Sequence, residues 1–452
     1  MVSTCAKVTW ITIIALVLLF GILLLTVFPL AIFPSLVKSQ LKLSTSDDGQ
    51  PTTITWYWSH LPAVAYYNFY LFNVTNIDGA WFEEAKISVN DIGPYAWRQW
   101  ESKLPTYSDD KETVFFTNDK AWAFDPEASC KNCSQDDLIW IPNLSLLATS
   151  SLMAQATNLS NIQKNLTSIG SLLLGAYPFI QVSVKDVLFY GYKDPLISLI
   201  NSPLVKIIEK LTGSPLFGFQ VPNIKDIGFF PKYNHTSDVN YTVTTGKSDY
   251  KKVGLINSWG DSPSLGWWNS EAANDITGSS DGSYWGGYLK KEDSLKTFQS
   301  FVCRHLEMEY SEDTELDSIS ARTYVFPDDT FNTTLEKNEG YTVVNYLNKT
   351  FFPNWANNNE LNAFNNLPFP PGLVEQKCFP GRKELLPFMA LLSQPHFYGA
   401  DPEVVQNVNG LSPRADKHKL GAFVVQPTVG STVKANLRIQ FSVAMFQDDD
   451  IM

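Results

Sequence analysis

One long apolar run dominates the hydrophobic pattern at the start of the chain. Residues 8–37 contain no charge, and the most apolar part ends at Phe28-Pro29-Leu30, which makes a poor signal-peptidase site. A helix needs about 20 apolar residues to cross a bilayer core, whereas a cleavable signal peptide has about 7–15. We therefore predict a cytosolic stub at residues 1–7, a transmembrane signal anchor at residues 8–33 and an ectodomain at residues 34–452. A buried core helix is the alternative interpretation of this run.

Apolar and polar residues alternate with a period of two in several later segments, which predicts β-strands. The most regular alternation runs from Val433 to Met445, and it predicts one buried and one solvated face. Within residues 87–98, the pair Gly93-Pro94 predicts a local break in a strand-like run. The other predicted strands are residues 52–58, 66–74, 113–124 and 239–244.

The apolar pattern changes to a helical period between residues 145 and 174. Apolar residues recur there every three or four positions, which predicts a helix with Lys164 nearly opposite its apolar stripe. A second helix is predicted after Ser202-Pro203, because serine is a favourable N-cap and proline fits the first helical position. Gly213 is suited to the end of that helix. A further short helix is predicted within residues 401–410.

Composition and motif content exclude several functional classes. The chain has 452 residues, of which 13% are aromatic, and a net charge of −12, which disfavours nucleic acid as a partner. The sequence contains no phosphate-binding loop, no His-Glu-x-x-His motif and no Gly-x-Ser-x-Gly elbow. The histidines are scattered without ligand spacing, at His60, His235, His305, His396 and His418. We therefore predict no cofactor, no metal and no catalytic residue, although the many carboxylates leave a hydrolase open as an alternative.

Charges and glycosylation acceptors disagree about the orientation of the anchor. Lys7 precedes the span whereas Lys38 and Lys42 follow it, so the charges alone weakly favour a cytosolic ectodomain. Asn-x-Ser/Thr acceptors are used only on the lumenal or extracellular side, and a dense cluster of them lies beyond the span. We therefore predict an extracellular or lumenal ectodomain that is glycosylated at Asn73, Asn132, Asn143, Asn158, Asn165, Asn234, Asn240, Asn332 and Asn348.

The five cysteines divide into one before the span and four beyond it. Cys5 lies next to the membrane on the cytosolic side, where it is a candidate for palmitoylation, with a plain free thiol as the alternative. The other four allow three pairings, and their spacing does not choose among them. Cys130 and Cys133 form a C-x-x-C motif in a polar loop, which lacks the strand–helix context of a redox centre. A local disulfide or two free thiols are the predictions for that pair.

Four short segments carry a family resemblance. Residues 70–76 and Gly93-Pro94-Tyr95 follow the anchor in that order, and residues 300–304 and 393–401 follow later. In order and spacing they resemble the class B scavenger receptors, the cluster of differentiation 36 family, which includes a fatty-acid translocase, a high-density-lipoprotein receptor, a lysosomal integral membrane protein and sensory-neuron membrane proteins. The sequence departs from the family at Ile77, where a proline is usual.

The resemblance implies a fold that is mainly β with α (α+β). It implies an antiparallel β-barrel ectodomain with an internal apolar tunnel, capped by an apical helical bundle at about residues 145–216. It also pairs Cys303 with Cys378, and on the chain-entropy model this loop of about 75 residues stabilises the fold by about 4–5 kcal/mol. His396, in the last matching segment, is predicted to be a structural histidine rather than a catalytic one.

The end of the chain is the largest departure from the family. Family members continue to a second membrane span and a cytosolic tail, whereas this sequence stops at Met452. A splice form, an incomplete gene model and a true single-span protein are all compatible with that. We expect a membrane protein that is single-pass as given, with the plasma membrane as the first prediction and the lysosomal or endosomal membrane as the second.

The resemblance implies a receptor rather than an enzyme. Such a receptor binds lipids, fatty acids, lipoproteins or other polyanionic ligands and passes lipid through its tunnel towards the membrane bilayer. Lys164, and after it Lys185, are candidate ligand-binding residues because basic side chains near a tunnel mouth could meet acidic head groups. Solvated surface lysines are the alternative for both. The second functional hypothesis is a cell-surface adhesion or recognition protein, or a lysosomal sorting receptor, without lipid transport, and homo-oligomerisation stays open.

Overall fold

The computed structural model describes residues 4–61, 64–83, 85–155, 175–213, 226–231, 233–342 and 369–444. This part of the chain combines an N-terminal apolar helix with curled antiparallel sheets and short helices. The predicted α+β class with a dominant β component is therefore confirmed at this level.

The N-terminal helix is longer than the predicted anchor. It consists of α1 (Thr4–Ile22), a π-helical stretch (Leu23–Ile32) and α2 (Phe33–Gln40), which follow one another without a break. Pro29 lies inside the π-helical stretch, and such local changes of helical pitch are a common response to the backbone donor that proline lacks. In the described part of the chain, the helix over Val8–Gln40 is long and apolar enough to cross a membrane, and none of it is buried against the rest of the protein.

The end of the anchor helix contacts the ectodomain. The Nζ atom of Lys38 lies 5.4 Å from the ring centroid of Tyr250 and 5.0 Å from that of Tyr288. The hydroxyl of Tyr288 also donates a hydrogen bond of 3.2 Å to the carbonyl of Pro34. Aromatic and lysine side chains of this kind favour the membrane–water boundary, so these contacts hold the ectodomain close to the end of the span.

The first sheet has the order β1-β2-β3-β6-β7, with all pairs antiparallel. β2 is long enough to pair with β1 through its first part and with β3 through its second part. The strands are β1 (Ala65–Val74), β2 (Val89–Tyr107), β3 (Thr113–Phe124), β6 (Tyr241–Thr244) and β7 (Ile256–Trp259).

Three further antiparallel sheets complete the β structure of the described residues. The second sheet has the order β14-β13-β10-β9-β8, the third has the order β11-β12-β15, and the fourth is the pair β4-β5. Their strands are β4 (Leu138–Pro142), β5 (Phe179–Ser183), β8 (Leu295–Gln299), β9 (Arg304–Leu316), β10 (Ile319–Val325), β11 (Val374–Cys378), β12 (Leu385–Ser393), β13 (Gly421–Gln426), β14 (Ser431–Leu437) and β15 (Gln440–Val443).

Short helices fill the connections between strands. The α-helices are α3 (Thr53–Ser59), α4 (Ile77–Phe82), α5 (Leu144–Gln155), α6 (Pro195–Ile200), α7 (Pro203–Thr212), α8 (Glu271–Asn274), α9 (Pro402–Gln406) and α10 (Ala415–His418). The predicted caps of α7 are confirmed, because the hydroxyl of Ser202 accepts from the backbone N–H of Val205 and Gly213 ends the helix with φ +69°. The short helix predicted within residues 401–410 is also confirmed as α9.

Two apolar clusters form most of the core. The larger cluster draws buried side chains from the first three sheets and includes Phe116, Trp259, Leu306, Tyr324 and Leu392. The upper cluster, as we call the second one, is richer in aromatic rings and includes Tyr95, Trp97, Trp122, Phe189 and Phe230. Aromatic side chains bury the largest areas per residue, and many of the aromatic residues of the chain lie in these two clusters.

One strand prediction is wrong and two are wrong in part. Residues 52–58 lie mostly in helix α3 because tertiary contacts override the local β propensity: Trp58 is fully buried, and the Thr55 hydroxyl donates to the carbonyl of Ser44. The C-terminal alternation is divided between β14 and β15, which belong to different sheets. At Gly93-Pro94 the strand continues, and only the register with β1 shifts.

The predicted amphipathic stripe lies only partly within the described residues, and the C-terminal strands do not have one buried and one solvated face. Helix α5 covers the start of the stripe, and the remainder lies outside the described residues. At the C-terminus the clean alternation of burial is wrong, because the polar Gln440 is buried and the apolar Ala435 is exposed. Gln440 is buried because its side-chain oxygen accepts a 2.7 Å hydrogen bond from the backbone N–H of His396.

Candidate functional site

A row of polar side chains crosses the inner face of the first sheet. On β2 and β3 the inward positions are apolar at both ends, where they join the larger cluster and the upper cluster. Between these ends lie Gln99, Glu101 and Lys103 of β2 and Asn118 and Lys120 of β3, which we call the polar belt. The belt therefore separates the two apolar clusters along this sheet.

The first ion pair of the belt joins Lys120 to Asp238 at 2.5 Å, with both side chains almost fully buried. Asp238 also accepts hydrogen bonds from Asn118 at 3.2 Å, from Ser300 at 3.2 Å and from the hydroxyl of Tyr233. Burial alone would lower the pKa of Lys120, but nearby carboxylates, led by that of Asp238, raise it well above its ordinary value. Lys120 is therefore a permanent cation whose charge is matched within the protein.

The second ion pair joins Lys103 to Asp281, also at 2.5 Å. The Lys103 Nζ atom lies 4.7 Å from the ring centroid of Trp58, and the Asp281 side chain also accepts from the hydroxyl of Ser283. Burial opposes ionisation of Asp281, but Lys103 outweighs it and holds the pKa of that carboxyl below its usual range. Both pairs connect the first sheet to segments outside it, so they help to fix the interior of the molecule.

Nothing in the belt has the geometry of a catalytic centre. Each carboxylate accepts from several donors, and no serine, cysteine or histidine lies beside a free base in the belt. Across the described residues, no cluster of three or more histidine, cysteine, aspartate or glutamate side chains is placed to hold a metal ion.

His396, predicted to be structural, lies at a junction of three segments. Its Nε2 atom is 3.0 Å from a carboxylate oxygen of Asp91, and its Nδ1 atom accepts a 3.1 Å hydrogen bond from the backbone N–H of Ser412. The ring of His418 stacks on it at 4.2 Å between centroids. Both nitrogens of His396 are thus used by the protein, which agrees with the structural prediction.

The two lysines proposed as ligand contacts differ in what can be described. Lys164 lies outside the described residues. Lys185 lies shortly after β5, and its side chain is partly exposed. It forms an ion pair with the exposed Asp136 at 2.5 Å, and the hydrogen bond in this pair raises the pKa of Lys185. The belt lysines were not predicted from the sequence, although both occupy inward positions of β2 and β3.

The cysteines beyond the span form two disulfides. Cys303 pairs with Cys378, which joins the start of β9 to the end of β11, and Cys130 pairs with Cys133 within one loop. The side chain of Cys5 lies outside the described residues. The long-range bridge ties the second sheet to the third one.

The glycosylation acceptors are not equivalent. Asn143 is fully buried, its side-chain oxygen accepts from the Ser145 hydroxyl, and its side-chain nitrogen donates to the carbonyl of Tyr177. A glycan on that nitrogen has no path to solvent, so the geometry argues against modification there. Asn132 and Asn234 are exposed, Asn73, Asn240 and Asn332 are partly exposed, and Asn158, Asn165 and Asn348 lie outside the described residues.

Comparison with known proteins gives one family along almost the whole chain. The sequence model of the CD36 family matches residues 12–452. Scavenger receptor class B member 1 of Bos taurus is 25% identical over 429 residues, which covers 94% of this chain and 74% of that protein. Sensory neuron membrane protein 1 of Manduca sexta is 25% identical over 453 residues, with 96% and 77% covered. An uncharacterised protein of Caenorhabditis elegans is 33% identical over 427 residues, with 91% and 79% covered.

Proposed function

The chain belongs to the CD36 family, and from that membership we propose that it is a membrane-anchored class B scavenger receptor for lipids or lipoproteins. The observation that carries this proposal is the family match from residue 12 to residue 452, which includes the apolar helix as well as the ectodomain. Scavenger receptor class B member 1 is among the relatives, so a receptor rather than an enzyme fits the family.

We place the ectodomain on the extracellular or lumenal side of the membrane. The apolar helix over Val8–Gln40 serves as the anchor, and glycosylation acceptors such as the exposed Asn132 and Asn234 then face the compartment in which glycans are added. The disulfide between Cys303 and Cys378 also suits an oxidising compartment. The plasma membrane is our first location, and the lysosomal or endosomal membrane is our second.

The first contact with a lipid particle is proposed to involve the helical segment around α7. Its Val205 is buried, whereas Ile207 is 56% exposed and Leu211 is 81% exposed. The exposed Lys206 and Lys210 lie on the same helix. Apolar side chains flanked by cations suit a surface that combines acyl chains with acidic head groups. Lys164 and Lys185 stay proposed as additional contacts for acidic lipids.

Captured lipid is proposed to move through the interior of the ectodomain towards the bilayer. The driving force is burial of the acyl chain, which contributes about 0.8 kcal/mol for each methylene group removed from water. The rings of the upper cluster offer an apolar environment on the side of the belt away from Trp58. An acyl chain that passes from the upper cluster to the larger cluster must bypass or displace the side chains of the polar belt.

Equilibrium binding tests this proposal. The full chain is purified in amphipol, without a bilayer, and titrated with a fluorescent long-chain fatty acid and with labelled lipoprotein. We expect saturable binding that unlabelled lipid displaces, and weaker lipoprotein binding by Leu211→Glu with unchanged thermal unfolding. Absence of binding by a folded, glycosylated chain contradicts the proposal.

The second candidate function is adhesion or sorting without lipid passage. The two buried ion pairs favour it, because charged side chains interrupt the apolar interior where an acyl chain would pass. This alternative predicts that the chain binds a lipoprotein or a protein partner but does not take up free fatty acid. The same titration separates the two candidates.

A further inference from the structure

Three lysine or arginine side chains are buried in the described part of the chain, and one of them differs from the others. Lys103 and Lys120 each pair with an aspartate at 2.5 Å. Arg304 is only 2% exposed, and it forms no ion pair with any carboxylate among the residues that the structure describes. Within the described residues, two of the buried cations therefore have a counter-charge and the third has none.

Arg304 points into the interior of the molecule. It is the first residue of β9, and it shares the buried face of that strand with Leu306 and Met308. The preceding residue, Cys303, is bonded to Cys378, so the backbone is fixed where the arginine begins. The guanidinium is therefore presented to the larger apolar cluster by a rigid element.

The contacts of the guanidinium leave one nitrogen without a partner. Its Cζ atom lies 3.5 Å from the ring centroid of Tyr341 and 5.6 Å from that of Phe331. Nε donates a 3.2 Å hydrogen bond to the carbonyl of His305. Nη1 is buried and has no hydrogen-bond partner in the part of the chain that the structure describes. Aromatic rings thus pack around the guanidinium, while a strong donor on its edge stays available.

A buried cation of this kind favours an anionic ligand. Burial lowers the pKa of Arg304, but an arginine side chain stays protonated in proteins. Contacts with Tyr341 oppose the effect of burial on the pKa of Arg304, so they offset part of the unfavourable desolvation. The neighbouring His305 does not compete as a cation, because burial and the nearby Lys296 lower its pKa to about 3. A carboxylate matches the planar fork of arginine, and its single negative charge balances the single positive charge of Arg304.

We propose that Arg304 binds the carboxylate of a long-chain fatty acid whose acyl chain lies among the apolar side chains of the larger cluster. The proposal rests on the lipid-binding function given above, and it names the head group that the interior recognises. Leu306, Met308 and Phe331 are the apolar neighbours that would meet the first part of the chain. Arg304 then acts as the anchor of the ligand, and the acyl chain supplies most of the affinity.

The test compares a charged and an uncharged ligand of equal chain length. Radiolabelled palmitate and 1-hexadecanol are titrated into the full chain in amphipol and into the variants Arg304→Met and Arg304→Lys. We expect Arg304→Met to weaken palmitate binding about 10- to 100-fold, as for loss of a charge-assisted hydrogen bond, with hexadecanol affinity unchanged. Arg304→Lys should keep part of the preference for the acid.

The possible outcomes separate this inference from the function on which it rests. If both ligands bind and Arg304→Met weakens them equally, or weakens neither, the assignment of Arg304 is wrong while lipid binding stands. If neither ligand binds the unmodified chain, the lipid-binding function itself fails. Thermal unfolding and a non-reducing peptide map of the Cys303–Cys378 bond show whether each variant is folded.

A measurement on the unmodified chain covers the case in which the variants do not fold. Palmitate labelled with ¹³C at the carboxyl carbon is bound to the protein, and its chemical shift is followed as the pH is lowered. A carboxylate beside Arg304 should stay ionised at least one pH unit below the value at which the free acid titrates. Titration at or above the free value contradicts the proposed contact.

Discussion

Replacement of Lys120 by methionine should expose how strongly the polar belt depends on its matched charges. The substitution keeps a long side chain and removes the cation that contacts Asp238 at 2.5 Å. Asp238 would then be a buried carboxylate without a counter-ion, although Asn118, Ser300 and Tyr233 would still donate to it. Removal of one partner from a buried pair costs about 3–5 kcal/mol, because the remaining charge stays desolvated.

That free energy converts into a measurable shift of the unfolding temperature. About 410 residues lie beyond the anchor helix, and unfolding entropy near 60 °C is about 2.1 cal/mol/K per residue. The entropy of unfolding is therefore about 0.9 kcal/mol/K, and a loss of 3–5 kcal/mol lowers Tm by about 3–6 °C. Differential scanning fluorimetry of the glycosylated chain at one fixed scan rate measures this shift.

Lys185→Met is the matched control for Lys120→Met. Lys185 also contacts an aspartate at 2.5 Å, but the Lys185 and Asp136 side chains are 35% and 62% exposed, against 6% and 1% for the belt pair. An exposed pair contributes little, so this control should move Tm by less than about 1 °C. The double variant Lys120→Met/Asp238→Asn should recover about half of the loss, because the uncompensated charge is gone.

Equal shifts for Lys120→Met and Lys185→Met would refute the reasoning, since the argument depends on burial and not on the distance between the charges. A large shift that the double variant fails to reduce would also count against it. In that case the contact of the Lys120 Nζ atom with the ring of Phe301, at 4.5 Å from its centroid, would carry the stabilisation rather than the ion pair with Asp238.

Three further predictions follow from single features. Burial lowers the pKa of His305 to about 3, so the folded state loses stability as the pH falls below the ordinary histidine pKa of about 6.5. Between pH 7 and pH 5 this loss should approach about 2 kcal/mol. Tm measured against pH should therefore fall over this range, and His305→Gln should flatten that profile. Cys303→Ala/Cys378→Ala should lower stability by about 4–5 kcal/mol on the chain-entropy model, measured by denaturant unfolding. Glycopeptide mapping should find sugar at Asn132 and none at Asn143, and a glycan at Asn143 would contradict the buried geometry.

Predictions from the sequence were most accurate where the local sequence and the tertiary contacts favour the same secondary structure. The caps at Ser202 and Gly213 specify both ends of α7 through backbone hydrogen bonding that needs no distant partner. The strand predicted over residues 113–124 is confirmed as β3, whose alternate residues are buried and at least partly exposed, as a strand with one face on the core requires. The apolar anchor is likewise a property of composition and length alone.

Prediction failed where distant contacts decide the local conformation. The β-branched and aromatic residues of Thr53–Ser59 favour a strand locally, but burial of Trp58 and the bonds of Thr55 to Ser44 stabilise a helix. The C-terminal alternation could not reveal that β14 and β15 pair with strands of different sheets. Alternation reports the period of a strand and says nothing about its partners.

The interior site was the hardest feature to predict. Strand parity places Lys103 and Lys120 on inward faces, so a careful count along β2 and β3 could have marked both as buried. Their partners, Asp281 and Asp238, are 178 and 118 residues away along the chain, and no local pattern connects them. That Arg304 has no counter-charge among the described residues likewise becomes visible only when the surrounding side chains are placed.

Transfer of lipid from a particle into a membrane tests the central claim most directly. Lipoprotein carrying a fluorescent fatty acid is mixed with proteoliposomes that contain the full chain, with protein-free liposomes as the control. The proposed function predicts that the chain accelerates appearance of the label in the bilayer and that unlabelled lipoprotein saturates this transfer. Binding of the particle with transfer no faster than into protein-free liposomes would contradict the claim and favour an adhesion or sorting receptor.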